Sequence, residues 1–137
     1  MKKINKIAFI GAGLINSSLA RDLKKTDFYK ISSVYSRSKK TRNILRKLKI
    51  IDEVEDTYSK AVCNADLIVI GVPVDAFSSV ISKISSYLKK GAIITDVGSV
   101  KNSIIKSSSR KIPKGVHFIP GHPIAGTEHS GPAAGFE

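Results

Sequence analysis

Short apolar runs alternate with stretches of helical periodicity along the whole chain. Runs rich in β-branched residues predict buried strands, and a weaker run predicts a short third strand. In chain order these strands fall at residues 6–10, 30–35, 50–54, 67–70, 92–95 and 116–119. Apolar residues at three- and four-residue spacing predict helices at residues 14–23, 41–48, 58–63, 76–88 and 99–105. This alternation predicts an α/β fold, with a doubly wound, mainly parallel sheet and helices on both faces.

The first strand leads directly into a glycine-containing turn and then into a helix. Gly11 permits a sharp turn, and the absence of a side chain at Gly13 lets the backbone approach a pyrophosphate at the helix N-terminus. This context favours a dinucleotide site in a Rossmann-type domain over an ordinary strand-to-helix turn. The third position of the pattern is Asn16, so we expect the helix to stand off slightly or Asn16 to point into a gap. The predicted cofactor-binding residues of this turn are Gly11, Ala12, Gly13, Leu14 and Ile15.

The end of the second strand carries Ser36, Arg37 and Ser38 where NAD-binding domains place an acid that binds the ribose 2′-hydroxyl. A carboxylate would repel a 2′-phosphate, whereas a hydroxyl beside a guanidinium would bind it. The sequence therefore predicts NADP as the preferred cofactor, with NAD possible. The alternative is that Arg37, Lys39 and Lys40 only form the solvated basic start of a helix.

The ends of later strands supply further candidates. Val72 and Pro73 follow the fourth strand and are predicted to cross the cofactor's ribose or nicotinamide, although a plain connection capped by Asp75 is equally compatible. Asp96, at the end of the fifth strand, is assigned to the cofactor-binding set as well.

Ser99 and His122 each follow a predicted strand, so both are expected to face one crevice at the carboxyl edge of the sheet. An imidazole there can accept a proton near neutral pH, and Ser99 could orient it or bind substrate. No further ligands accompany His122 at metal spacing, so no metal site is predicted.

Composition narrows the class of protein. A chain of 137 residues, with 42% hydrophobic and 25% charged residues, predicts one globular domain. The chain contains neither an apolar run of membrane-spanning length nor a signal-peptide pattern, so we expect a cytoplasmic protein. The single cysteine, Cys63, excludes an internal disulfide and is predicted to be a small buried hydrophobe. The net charge of +12 is compatible with binding to nucleic acid. Only 7% of the residues are aromatic, however, so the chain offers few side chains on which bases could stack, and no nucleic-acid partner is expected.

The motifs taken together resemble the prephenate/arogenate dehydrogenase family. They are the glycine turn with residues 18–20, then residues 71–74 (GVPV), 95–101 (TDVGSVK) and 121–131 (GHPIAGTEHSG). The resemblance implies NAD(P)-dependent oxidative decarboxylation of a cyclohexadienol, with prephenate and arogenate both open as the small-molecule substrate. It implies that His122 takes the proton of the ring hydroxyl, that Ser99 hydrogen-bonds the imidazole and the substrate, and that Thr127 and Glu128 lie near the substrate entrance.

The same family implies a second, helical domain that supplies a dimer interface and an arginine for the substrate carboxylate. We therefore expect residues 1–137 to be the nucleotide-binding domain of a fragment or truncated product. Alone it should bind NADP and turn over poorly or not at all, with homodimers formed by the full-length form. Two alternatives stay open: another β-hydroxyacid-type dehydrogenase, against which the His122 loop argues, and a non-catalytic dinucleotide-binding module.

Overall fold

The computed structural model describes residues 3–99, 101–121 and 132. The strands are β1 (Ile4–Ile10), β2 (Tyr29–Tyr35), β3 (Glu53–Glu55), β4 (Leu67–Ile70), β5 (Ile93–Asp96) and β6 (His117–Ile119). The helices are α1 (Leu14–Lys24), α2 (Lys39–Leu48), α3 (Tyr58–Val62), α4 (Val74–Ile84) and α5 (Lys101–Ser108). A single 3₁₀ turn, Ser85–Tyr87, follows α4. Within these residues no helix is long and apolar enough to cross a membrane.

The described strands form one parallel sheet in the order β3-β2-β1-β4-β5-β6. The chain crosses outward from β1 through β2 to β3, then returns to the other side of β1 for β4 to β6. The strand order therefore reverses between β1 and β4, and ligands of such sheets bind beyond the carboxyl ends of the strands at that point. The predicted doubly wound, Rossmann-type fold is confirmed.

The core lies on both faces of the sheet because residues alternate along its central strand. Ala8 and Ile10 of β1 point into a cluster that includes residues of α3, α4 and α5. Ile7 and Phe9 point into a second cluster that includes residues of α1 and α2. Burial on both faces explains why β1 and β4 are nearly continuous apolar runs.

Three details differ from the sequence-based expectations. The third strand is Glu53–Glu55 rather than residues 50–54, because the Asp52 carboxylate accepts hydrogen bonds from the N–H (2.8 Å) and hydroxyl (2.7 Å) of Ser32 just before β3 begins. The helix expected at 76–88 is α4, which ends at Ile84 before the 3₁₀ turn. The prediction that Cys63 is buried is wrong.

Cys63 is exposed because α3 ends immediately before it. Ala61 and Val62, the last two residues of the helix, take the inward positions and are fully buried. The backbone then leaves the helix at Cys63, and Asn64 adopts a left-handed conformation with φ of 59°. The thiol therefore lies on the outside of this connection.

Candidate dinucleotide-binding cleft

A cleft of about 480 Å³ lies at the carboxyl edge of the sheet, where β1, β2 and β4 end. Eight residues that the sequence assigned to cofactor binding line it: Gly11, Ala12, Gly13, Ser36, Arg37, Ser38, Val72 and Pro73. The other lining residues are Ile10, Tyr35, Thr41, Tyr58, Gly71, Asp75, Ala76, Val80 and Pro132. Leu14 and Ile15 form the first turn of α1 and do not line the cleft.

Gly11 is required by the fold itself. Its φ of 88° lies in the region that glycine alone adopts readily, and its N–H donates to the Tyr35 carbonyl at 2.9 Å. A Cβ placed on Gly11 would collide with the carbonyl group of Gly71, at 2.9 Å from the carbonyl carbon. The turn after β1 therefore depends on a close backbone approach to the end of β4.

Gly13 is not required by the protein around it. Its φ of −73° suits any residue, and a Cβ placed there meets no atom of the described residues within 4 Å. Gly13 is the N-cap of α1, and no side chain caps this helix, whose first turn contains no acidic residue. Open space in front of uncapped helical N–H groups is the arrangement that receives phosphate groups.

The β2 end of the cleft presents basic and hydroxyl groups. Arg37 is exposed, and within the described residues its guanidinium makes no hydrogen bond or ion pair. The Ser38 hydroxyl accepts a hydrogen bond from the N–H of Thr41 at 3.2 Å and so caps α2. Lys39 and Lys40 are exposed in the first turn of α2 but do not line the cleft.

Arg42, which the sequence did not single out, shapes this end of the cleft. Its guanidinium donates to the carbonyls of Ser36 at 2.6 Å and Arg37 at 3.0 Å. The same group donates to Asp56 at 3.0 Å and lies 5.7 Å from the centre of the Tyr35 ring. The Arg42 guanidinium thus fixes the backbone of the loop that carries Ser36 and Arg37, and its own charge is paired with Asp56.

Two tyrosines flank the same part of the cleft. The Tyr35 and Tyr58 rings lie 4.2 Å apart between centroids, at 52° to one another. Burial raises the pKa of Tyr58 above its usual value, Tyr35 adds to the rise, and the Arg37 charge opposes it. The Tyr58 hydroxyl therefore stays protonated at neutral pH and can donate a hydrogen bond. Tyr35 could have been found as the residue before Ser36, whereas Tyr58 offers no local signal.

On the β4 side, Val72 and Pro73 form the connection to α4. Pro73 is the N-cap of this helix, so the alternative in which Asp75 caps it is wrong. Asp75 instead lies in the first turn of α4 and lines the cleft.

Asp96 lies outside the cleft and joins the ends of two strands. Its buried carboxylate accepts hydrogen bonds from the N–H groups of Gly98 at 2.8 Å and Gly121 at 3.2 Å. A Cβ on Gly121 would lie 2.6 Å from the Asp96 carbonyl oxygen, so the two backbones pack closely. Asp96 thereby holds the exit of β5, which leads to exposed Ser99, beside the exit of β6. The predicted residues His122, Thr127 and Glu128 lie outside the described residues.

The fold and this cleft define a nucleotide-binding α/β domain. Residues 19–137 match the family model described as prephenate dehydrogenase, nucleotide-binding domain. The chain belongs to this family, and the resemblance of its motifs is confirmed.

Curated relatives and solved structures agree with this placement. The chain is 43% identical to cyclohexadienyl dehydrogenase of Zymomonas mobilis, over 99% of this chain and 46% of that protein. It is 35% identical to prephenate dehydrogenase of Lactococcus lactis, over 93% of this chain and 36% of that protein. The chain therefore spans less than half the length of these two relatives.

Two crystal structures superpose on nearly the whole chain. Prephenate dehydrogenase from A. aeolicus, in complex with hydroxyphenyl propionate and NAD⁺, has a TM-score of 0.87 and 28% identity, over 98% of this chain and 47% of that one. Arogenate dehydrogenase from Synechocystis has a TM-score of 0.84 and 32% identity, over 95% and 45% of the two chains.

Proposed function

We propose that this domain binds NADP in the cleft and is the nucleotide-binding part of a dehydrogenase that oxidatively decarboxylates prephenate or arogenate. The observation that carries the proposal is Gly13. Nothing in the described protein needs a glycine there, yet its bare backbone faces open space at an uncapped helix N-terminus. A ligand that brings phosphate against the backbone explains that choice.

The cleft offers a place for each part of the dinucleotide. The glycine turn and the first turn of α1, which includes Leu14 and Ile15, would receive the pyrophosphate through backbone N–H groups. Ser36 and Arg37 would bind the 2′-phosphate of NADP, since no carboxylate occupies the end of β2. Val72 and Pro73 would pass over the ribose or nicotinamide. The carboxylate of Asp96 already accepts hydrogen bonds from Gly98 and Gly121. Its assignment to cofactor binding stays a prediction.

The chemistry would depend on residues that follow β5 and β6. In the proposed reaction His122 takes the proton of the ring hydroxyl, and Ser99 hydrogen-bonds the imidazole and the substrate. The bound cofactor supplies the hydride acceptor. The ring carboxylate then leaves as CO₂ and the ring becomes aromatic. Asp96 supports this arrangement because it ties the backbone immediately before His122 to the exit of β5.

The same proposal covers the substrate entrance, dimerisation and location of the full-length protein. Thr127 and Glu128 would lie near the substrate entrance, and a helical domain outside this sequence would complete the substrate site and form a homodimer. The full-length enzyme would act in the cytoplasm. The isolated domain would bind NADP with little or no turnover.

Calorimetric titration of this chain with NADP⁺ and NAD⁺ tests the cofactor proposal. We expect NADP⁺ to bind at least about tenfold more tightly, as a charge-assisted contact to the 2′-phosphate would produce. The double variant Ser36→Asp, Arg37→Ala should reverse the preference. Lys39→Ala with Lys40→Ala is the matched control, because it removes nearby charge that does not line the cleft. Equal affinity for both cofactors, or an equal loss in the control, would contradict the NADP preference.

The catalytic proposal needs a full-length protein that contains this domain. His122→Asn should abolish oxidation of both prephenate and arogenate while NADP⁺ affinity is retained. Unchanged turnover in that variant would favour the non-catalytic module or another base over the role proposed for His122.

A further inference from the structure

Asn16, at the third position of the glycine pattern, points into a gap, which is the second of the two arrangements expected for it. Its side chain is buried, with 2% of the residue exposed, and lies between the ends of β1 and β4. Nδ2 donates to the Gly11 carbonyl at 2.9 Å, with longer contacts to the carbonyls of Ile10 at 3.4 Å and Val69 at 3.5 Å. One amide thus joins the two strands between which the sheet order reverses.

Gly71 provides the room that Asn16 occupies. A Cβ placed on Gly71 would lie 2.5 Å from Nδ2 and 2.6 Å from Cγ of Asn16. The backbone of Gly71 does not have a positive φ, so its conformation would suit other residues. The three atoms nearest to a Cβ at position 71 all belong to Asn16, so the two residues are sterically matched.

The contact with Gly11 has a direct consequence for the cleft. A trans peptide is planar, so its carbonyl and the following N–H point in opposite directions. When the Asn16 amide fixes the Gly11 carbonyl toward the sheet, it also fixes the N–H of Ala12, a residue that lines the cleft. Within the described part of the chain, the buried Oδ1 of Asn16 accepts no hydrogen bond, a cost that folded proteins rarely accept.

We propose that Asn16 is a positioning residue for the pyrophosphate-binding turn, with Gly71 as its required partner. Its amide holds the turn after β1 against the end of β4, so that the backbone N–H groups of the turn are oriented before the dinucleotide binds. This inference rests on the proposed dinucleotide function. Preorganised donors bind a ligand more tightly because little ordering remains to be done on binding.

Three variants of this chain separate the packing of Asn16 from its positioning role. Gly71→Ala alone should lower the melting temperature strongly, since the new methyl group meets the Asn16 amide. Asn16→Gly combined with Gly71→Ala should recover most of that loss, because the methyl group enters the space that the amide has left. Asn16→Ala keeps Gly71 and removes only the amide. This variant tests the positioning role if the double variant does not fold.

Binding of two ligands supplies the readout that packing alone would not change. NADP⁺ carries the pyrophosphate, whereas 2′-AMP carries only the adenosine and the 2′-phosphate. In the double variant and in Asn16→Ala, NADP⁺ affinity should fall about tenfold, the loss expected when one well-oriented contact is removed. The affinity for 2′-AMP should stay at its wild-type value, because that ligand does not reach the turn.

The outcomes distinguish this inference from the function on which it rests. If wild-type protein binds neither NADP⁺ nor NAD⁺, the proposed function and this inference both fail. If the wild type binds and the variants keep full NADP⁺ affinity, or lose both ligands equally, the positioning role is overturned while the cofactor site stands. A Gly71→Ala protein as stable as the wild type would overturn the steric pairing.

Discussion

Asp66, at the amino edge of the sheet, and the start of α1 with Arg37, at the carboxyl edge, use polar groups in opposite ways. At the amino edge, the Asp66 carboxylate accepts the N–H groups of Asn5 at 2.7 Å and Lys6 at 3.0 Å, and it pairs with the Lys89 ammonium at 2.6 Å. At the carboxyl edge, Gly13 leaves the start of α1 open and Arg37 faces the cleft. Groups with partners inside the chain stabilise the fold, whereas groups facing open space are available to a ligand. Substitutions of groups that have partners inside the chain and of groups that face open space should therefore separate stability from binding.

The largest expected effect is that of Gly11→Ala. The new Cβ would collide with the Gly71 carbonyl, and the alanine backbone would have to adopt a strained positive φ. We therefore expect a loss of about 3 kcal/mol or more in the free energy of unfolding. Urea denaturation followed by circular dichroism measures it. Gly91→Ala is the matched control, because Gly91 has a similar φ of 84° and, in the part of the chain that the structure describes, no atom lies within 4 Å of the added Cβ. The control should lose only about 1 kcal/mol. Equal losses would show that the close approach to β4 is unimportant.

Gly13→Ala should separate binding from folding within the same turn. The backbone conformation suits alanine and the methyl group meets nothing, so the free energy of unfolding should change by less than about 1 kcal/mol. NADP⁺ affinity, measured by calorimetry, should fall about tenfold or more because the methyl group keeps phosphate from the backbone. Unchanged affinity would contradict the placement of the pyrophosphate at this turn.

Asp66→Asn should affect stability alone, by about 1 kcal/mol at pH 7. Burial works to raise the pKa of Asp66, but the hydrogen bonds from Lys89, Lys6 and Asn5 outweigh it and leave that pKa below its usual value. A lowered pKa in the folded state gives stability that is fully present above the unfolded value of about 4 and is lost as the pH falls through the folded value. The difference between wild type and variant should therefore shrink from pH 7 to pH 3, while NADP⁺ affinity at pH 7 stays unchanged.

Asp56→Asn is the control for that prediction. Hydrogen bonding to Arg46 is the main cause that lowers the pKa of Asp56, but this carboxylate is exposed and its ion pairs are screened by water. Its removal should change stability less than the removal of Asp66. A larger effect at Asp56 would mean that exposed pairs, rather than the amino edge, stabilise the sheet.

Local patterns in the sequence predicted the fold well, because each central strand is buried on both faces and is therefore a continuous apolar run. β3 was displaced because its position depends on Asp52 binding to Ser32 of another strand, which no local pattern records. Cys63 was assigned to the core from the usual behaviour of free cysteine. Its exposure depends on the helix end, where Ala61 and Val62 take the inward positions.

The site was predictable where its residues are consecutive and not where the fold assembles them. The glycine turn and Ser36 to Ser38 follow their strands directly, so the motif places them at the carboxyl edge. Tyr58 reaches the cleft from α3 and carries no motif, and Asp75, which the sequence offered only as a helix cap, reaches it from α4. The packing of Asn16 could not be predicted from the turn alone, because the space it fills is provided by Gly71, directly after the neighbouring strand β4.

The strand order also determines when the turn can be completed as the chain folds. β1 is made before its neighbour β4, which comes after three crossovers, and Gly71 follows at the end of that strand. Such long-range parallel pairing requires loop closure before any contact is gained, so it forms slowly. On the ribosome β1 must therefore wait for the later strand, and the turn after β1 has no packing partner at this side until β4 docks.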